Sequence, residues 1–449
     1  MVRLSYFAAQ EIPAALVTFV SLLMFLQTGT SAALSTLYSA LLSMPWLMKE
    51  SLQRWAVRNG MVRRTCRNRW LNPLLLGELV IVADFLLMAY ALNPNHFLFR
   101  LFGMGSGSGV GLFAMLLVLS LVTAVHEVLA DTYYHTHLRP RLRRLYDLPR
   151  FVVSQMAVAG TYGILIILVG TLQVLSRSIF VSWSGACFLM AGIMVLFVVW
   201  HVVSTTEVLP SGDARSPHEC AAPPLRGGVQ TGKMCGGEVA VRFLLLLFFL
   251  PQALMFYSRV LFLLAPREEG GLSRSLQEVG FVHGVIGAFA FCLGLVVSRR
   301  FVRRRMQSRG VGRRKVGYSQ YALLTDMPSA LGRIDLRLLP RFLPLFLSPI
   351  VYVLMSYFPP KMLWQIAVGT FLAQFMFGYG MHRLLSYLGL PASVGLRVPL
   401  VAASMLVPVA ASGWLVSRMG YPAFFLADAL TALLVLPVAV RNGARVERS

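Results

Sequence analysis

Acidic side chains are scarce in this sequence: Asp and Glu number 18 in 449 residues, against 41 Lys and Arg, for a formal net charge of +23. Charged residues of both signs make up only 13% of the chain, about half the share of an average soluble domain, which argues against a soluble globular protein. Cysteine is sparse as well. Cys66, Cys187, Cys220, Cys235 and Cys292 form no CxxC pair and no spacing with histidine that would hold zinc, so neither a disulfide framework nor a metal site is indicated. No GxxxxGK[ST] loop is present, which leaves ATP without a phosphate cradle. No Ser, His and Asp spacing suggests nucleophilic catalysis, and the expectation is a protein that is not an enzyme and needs no cofactor.

Apolar residues, by contrast, fill 57% of the chain. One membrane-spanning helix needs about 20 of them, so the stock suits about a dozen spans. Twelve runs stand out, at residues 10–29, 33–48, 71–92, 109–131, 150–174, 179–202, 240–264, 275–298, 338–358, 361–384, 396–416 and 422–440. The first is read as a retained span, since no small-residue cleavage site follows it.

The basic surplus sorts by loop. Lys49, Arg54, Arg58, Arg63, Arg64, Arg67 and Arg69 follow the second run, and Arg139, Arg141, Arg143, Arg144 and Arg150 follow the fourth. Nine more, from Arg299 to Lys315, follow the eighth, whereas the alternate connections carry at most two each. Lys and Arg in short loops stay cytoplasmic, which places both termini on that side. A surplus held in loops reports topology, so the expected partners are the bilayer and a small solute, with no nucleic acid. The Pro-, Gly- and Ser-rich interval 203–238 reads as a cytoplasmic linker between two six-helix bundles, 1–202 and 239–449, the second carrying an Arg-rich cytoplasmic loop at 299–337. The expected fold is an all-α polytopic membrane protein with about twelve transmembrane helices, an arrangement suited to a solute site between two halves.

An ionised side chain at the centre of a span costs about 2.5–3.5 kcal/mol on insertion scales, so the few that occur are informative. The densest group is TAVHEVLADTYYHTHL in the fourth run. Glu127 and Asp131, four apart, share a helix face, and His126 adds a second proton site beside them. The three suit a proton relay; the structural alternative is that Asp131 ends the helix at the interface. Glu78 and Asp84 in the third run are read as hydrogen-bonding between helices, and Asp428 in the twelfth has no evident partner. The glycines of GMGSGSGVGLF, from Gly103, are read as loop flexibility. Pro13, Pro45, Pro251, Pro349, Pro399 and Pro408 lie in or near spans, where each can kink a helix.

Several stretches are similar to one family in the same order along the chain. YFAAQEIPAALVT from Tyr6 and LYSALLSMPWLMK ending at Lys49 resemble the first two spans of the anhydromuropeptide permease (AmpG-like) branch of the major facilitator superfamily. HEVLADTYY from His126 is similar to that branch's HD-x-A-AD-x-[FY] signature. PREEGGLSRSLQEVGFVHG from Pro266, QFMFGYG from Gln374 and SGWLVSRMGYPAFF from Ser412 resemble its later segments. The chain departs from the pattern after Lys49, where ESLQRWAVRNG lacks the family's acid, and at Gln252, where the family has an acid.

The resemblance implies a secondary active transporter of a bacterial inner membrane, a permease that imports a cell-wall sugar or muropeptide in symport with protons. Asp131, Glu127 and His126 fall on the proton-coupling positions and Lys49 on a gating lysine. Gln10, Gln252, Tyr257, Gln374 and Tyr379 are the expected polar contacts of the substrate cavity, with packing between helices as the structural alternative for each. The chain is expected to act as a monomer. The rival expectation is a degenerate relative that scaffolds or senses through its Arg-rich loops.

Overall fold

The computed structural model describes residues 2–61, 72–137, 140–205, 236–308, 339–387 and 399–446. No strand occurs among them, and helix is found within each of the twelve apolar intervals. Six helical stretches are long and apolar enough to cross a membrane: Ser5–Gln27, Pro73–Ala91, Val110–Thr132, Pro149–Ser176, Ile179–Ser204 and Leu276–Phe301. Large apolar side chains stay exposed on them, with Leu76 at 58%, Val174 at 70% and Leu196 at 70%. Such surfaces suit contact with lipid. The chain divides into two units, Met1–Gln230 and Thr231–Ser449.

In the first unit, α1 runs over Val2–Ala15, through a π-helical stretch, Leu16–Val20, into Ser21–Gln27. Pro13, which has no N–H to donate, lies just before the π-helical stretch. α2 is Ala32–Leu41, opened by the Ser31 hydroxyl accepting from the Leu34 N–H. α3 is Pro73–Ala91, where Asn72 caps and Pro73 supplies the first-turn position that needs no donor. α4 is Val110–His137. α5 runs over Pro140–Val158 and the π-helical Ala159–Ile164 into Leu165–Ser176, and α6 is Ile179–Thr205. α3 packs against α6 and α4, and α1 against α5 and α4.

The second unit holds α7 (Gly236–Leu264), α8 (Leu276–Val279, the π-helical Gly280–Gly287, then Ala288–Ser308), α9 (Leu339–Tyr357), α10 (Leu363–Tyr387), α11 (Pro399–Met419) and α12 (Tyr421–Val446). Ser275 and Glu278 form a reciprocal capping box at the start of α8. α9 packs against α12 and α10, and α7 against α11. These are the pairings of α3 with α6 and α4, and of α1 with α5, displaced by six helices, so three pairings recur in the two units.

α8 and α10 meet backbone to backbone. A Cβ on Gly294 would stand 2.2 Å from the carbonyl oxygen of Phe375, and one on Gly378 would stand 2.2 Å from that of Phe291. Small residues permit this approach between membrane helices. Elsewhere hydroxyls reach neighbouring backbones: Ser120 donates to the carbonyl of Leu42 at 2.5 Å, and Ser184 to that of Ala89 at 2.7 Å.

Five sequence expectations change. The fourth span closes at Thr132, close to the expected bound, but the helix does not end at Asp131, because α4 continues to His137. The basic stretch after Lys49 begins as a helix, Lys49–Arg58, since Leu52 and Ala56 share a face that packs against Val128 and Leu129 of α4. The Arg-rich interval 299–337 likewise opens as helix, the end of α8 at Ser308, and residues 309–338 lie outside the described residues. The glycine-rich stretch from Gly103 serves tight packing: Gly103, Gly107 and Gly109 adopt φ of 61°, 70° and 67°, and a Cβ on Gly109 would meet the Thr30 hydroxyl at 2.5 Å. Of the expected linker 203–238, the two ends are helix, and 206–235 lie outside the described residues.

Candidate functional site

The first unit holds two polar networks, and they divide the three residues expected to form one proton path. Lys49 is the hub of the first. Its Nζ lies 2.8 Å from Glu127 Oε1 and 2.8 Å from Asp131 Oδ2, so the (i, i+4) spacing does present both carboxylates to one partner. The indole N–H of Trp46 donates to Glu127 Oε2 at 2.8 Å. Arg150 of α5 binds the other oxygen of Asp131 at 2.5 Å and lies over the ring of Phe7, 4.1 Å from its centroid. Two cations and two carboxylates thus tie α4 and α5 to the turn after α2. Burial alone would lower the pKa of Lys49, but the Asp131 and Glu127 carboxylates outweigh it and raise the pKa above its ordinary value.

His126 belongs to the second network. One position along a helix is a rotation of about 100°, which turns His126 away from Glu127 and toward α3. Its Nε2 stands 3.4 Å from Glu78 Oε1, an ion-pair distance without hydrogen-bond geometry. Gly77 makes the approach possible, since a Cβ there would lie 3.3 Å from His126 Cδ2. Glu78 is also 2.8 Å from Nδ1 of His201 on α6, and His201 Nε2 is 2.7 Å from the Ser5 hydroxyl. Tyr6 stacks on His201 with centroids 3.9 Å apart. Glu78, His126 and His201 have fully buried side chains. Hydrogen bonds thus join Ser5, His201 and Glu78, and His126 stands beside Glu78 without one. Glu11 accepts from Ser154 at 2.8 Å and is within electrostatic reach of Arg150.

The expected cavity contacts are distributed between the units. Gln10 is fully buried, with neither amide atom hydrogen-bonded. In the second unit, Gln252 and Tyr257 are buried on α7, and the Tyr257 ring meets Phe256 with centroids 4.9 Å apart. Gln374 lies against α8, 3.5 Å from the position a Gly287 Cβ would take. The Tyr379 hydroxyl accepts from Arg383 at 2.8 Å.

Sequence reasoning missed His201, Arg259 and His283. His201 sits at the end of the sixth apolar run, where it reads as an interfacial residue. Arg259 lies seven positions after Gln252, on the same face of α7, and that spacing was the available signal. It is only 8% exposed. Asp84 and Asp428 are buried too; Asp84 Oδ2 and both oxygens of Asp428 lack hydrogen-bond partners, so the inter-helix bond expected of Asp84 is not made at that oxygen. Among the described residues no group of three His, Cys, Asp or Glu is placed to hold a metal ion.

No protein-family model and no curated protein matches the sequence. Solved structures do match the fold along nearly the whole chain. A POT family transporter in complex with 5-aminolevulinic acid aligns with a TM-score of 0.60 at 12% identity, covering 99% of this chain and 96% of that one. A bacterial homolog of the human lysosomal transporter Spinster, inward-facing and unoccupied, gives 0.54 at 12% identity over 99% and 94%. A mutant of the peptide transporter POT in complex with alafosfalin gives 0.52 at 15% identity over 99% and 93%. At such identities the likeness is one of fold, and this chain shares the all-helical fold of these transporters.

Proposed function

We propose that the chain is a secondary active transporter of twelve spans, with both termini cytoplasmic in a bacterial inner membrane, which imports a small solute together with protons by alternating access. It acts as a monomer and draws on the proton gradient without a cofactor. The solute class is a cell-wall sugar or muropeptide, as the resemblance to anhydromuropeptide permeases implies. The observation that carries the reading is the Lys49 bridge to Glu127 and Asp131 within a transporter fold.

The bridge balances two cations against two carboxylates. Protonating either carboxylate leaves an excess positive charge between Lys49 and Arg150, and like charges at close range repel. The contact of α4 with α5 and with the turn after α2 then loosens. Loss of the proton restores it. In this reading Lys49 is the gate, Asp131 and Glu127 the groups that sense the proton, and His126, in the separate network of Glu78, a second proton site. Gln10, Gln252, Tyr257, Gln374 and Tyr379 contact the solute.

Uptake into proteoliposomes, with a panel of cell-wall sugars and peptides and with or without an imposed proton gradient, tests the reading. Gradient-driven accumulation in the wild type that is lost in Asp131→Asn is the expected result. No accumulation of any panel member, with the variant as stably folded as the wild type, overturns it.

A further inference from the structure

In the second unit a buried cation stands without a counter-charge. Arg259 is 8% exposed, its Nε has no partner, and no ion pair joins it to a carboxylate among the described residues. Three other half-buried or buried arginines have partners, while Arg299 on α8, half-buried, makes no ion pair among the described residues. Arg150 holds Asp131, Arg274 holds Glu278 and the carbonyls of Pro360 and Lys361, and Arg383 holds the Tyr379 hydroxyl. The Arg259 guanidinium carbon stands 5.6 Å from the centroid of the Phe256 ring, which supplies no counter-charge; a buried cation without one is costly, and ionisable side chains inside a membrane mark functional sites.

Three further polar groups accompany it. His283 Nε2, the Tyr352 hydroxyl and the Thr370 hydroxyl are buried without hydrogen-bond partners, at 5%, 0% and 0% exposure. Arg259 is within electrostatic reach of His283 and of Tyr352, and the Tyr352 and Thr370 hydroxyls are neighbours short of hydrogen-bond geometry. The four come from consecutive helices at one level. Arg259 lies five residues before the Leu264 end of α7, and His283 seven after the Leu276 start of α8. Tyr352 lies five before the Tyr357 end of α9, and Thr370 seven after the Leu363 start of α10. At a rise of 1.5 Å per residue each is about 8–11 Å from its helix end. Those ends share one face of the unit, because Arg274, between α7 and α8, bonds the backbone of the connection between α9 and α10.

We propose that Arg259, His283, Tyr352 and Thr370 form a binding site for an oxyanion, a carboxylate or phosphate carried by the transported solute. A guanidinium presents a fork of N–H donors that matches either group, and the two hydroxyls and the imidazole can each donate to the remaining lone pairs. The site narrows the proposed function to anionic solutes and rests on that reading for the statement that the ligand is transported. Asp428 is buried on α12 without a hydrogen-bond partner but makes no ion pair with Arg259.

Ligand-induced thermal stabilisation of the purified full chain in detergent tests the site without requiring transport. The probes are matched pairs: N-acetylmuramic acid against N-acetylglucosamine, a dialanine peptide against its C-terminal amide, and inorganic phosphate against chloride at equal ionic strength. Stabilisation by an anionic member and not by its counterpart is expected, with affinity at least roughly tenfold weaker in Arg259→Gln and partly retained in Arg259→Lys. Should Arg259→Gln fail to fold, Thr370→Val and His283→Leu, each removing one donor, are expected to weaken the same probe roughly fivefold. The phosphate pair separates a phosphate site from a carboxylate site. Stabilisation by no anionic probe, equal stabilisation by neutral counterparts, or rescue of Arg259→Gln stability by Asp428→Asn, which would mark an internal pair, overturns the site. Arg259-dependent binding without gradient-driven uptake would instead sink the transport reading alone, and uptake indifferent to Arg259 would sink the site alone.

Discussion

Glu78 and His201 lie 123 positions apart in sequence and 2.8 Å apart in the structure. The contact joins α3 to α6 where both side chains are fully buried, so removing either partner leaves a buried polar group unsatisfied. Glu78→Leu is expected to destabilise the protein by about 1.5–3 kcal/mol, the range for hydrogen bonds to charged groups. Glu78→Gln, which keeps an acceptor, is expected to cost less. A double-mutant cycle with His201→Leu, read by unfolding in detergent, should give a coupling energy of about 1 kcal/mol or more. Strictly additive losses would mean that the two residues act apart.

Lys49 leads to a chemical prediction. The sequence contains four lysines, Lys49, Lys233, Lys315 and Lys361, and Lys361 is exposed. An acylating reagent at about pH 9 attacks the neutral amine, and Lys49 is held protonated because the carboxylates raise its pKa above the ordinary 10.5. Mass spectrometry should find Lys361 modified and Lys49 spared in the wild type. Glu127→Gln with Asp131→Asn should make Lys49 reactive. Modification of Lys49 in the wild type at the rate of Lys361 would show that the bridge does not persist in solution.

The same shift fixes a pH window. For a raised pKa the stabilisation is complete below the unfolded value, near 10.5, and is lost as pH climbs through the higher folded value. Lys49→Met should therefore lower the unfolding midpoint by a similar amount at pH 7 and pH 9. The gap between variant and wild type should close only at strongly alkaline pH. A gap that shrinks between pH 7 and pH 9 would contradict the raised pKa.

At Gly294 and Gly378 an added methyl would collide with backbone, which cannot rotate aside. Gly378→Ala is expected to cost at least about 1–3 kcal/mol, the range for overpacked cores. Gly192→Ala on α6, where nothing lies within 4 Å of the new Cβ, should be neutral or stabilising by up to about 1 kcal/mol, since alanine is the better helix former. Thermal unfolding of the two variants side by side checks the contrast.

Local features of the chain were legible in sequence and partners across helices were not. The apolar runs located the helices, and the (i, i+4) spacing put Glu127 and Asp131 on one face, where Lys49 now bridges them. The same proximity in sequence misled for His126, because adjacent residues on a helix point about 100° apart; Gly77 gives it a place beside Glu78 instead. Arg150 and His201 sit on α5 and α6, and no local period links them to α4 or α3. Arg259 was hidden by its setting, a single cation at the end of an apolar run, where its lack of a carboxylate is visible only once the helices around it are placed.

The glycine crossing of α8 and α10 has a mechanical meaning. Ridges that interlock at the backbone cannot slide, since a one-residue slip of 1.5 Å would drive a carbonyl into a neighbouring Cα. The two helices therefore behave as a single strut. His283 rides on one and Thr370 on the other, and α9 with Tyr352 packs against the same pair through α10, whereas α7 with Arg259 packs chiefly against α11. A jaw with one fixed side closes by the motion of the other, and solute capture would register as displacement of α7 against that pair.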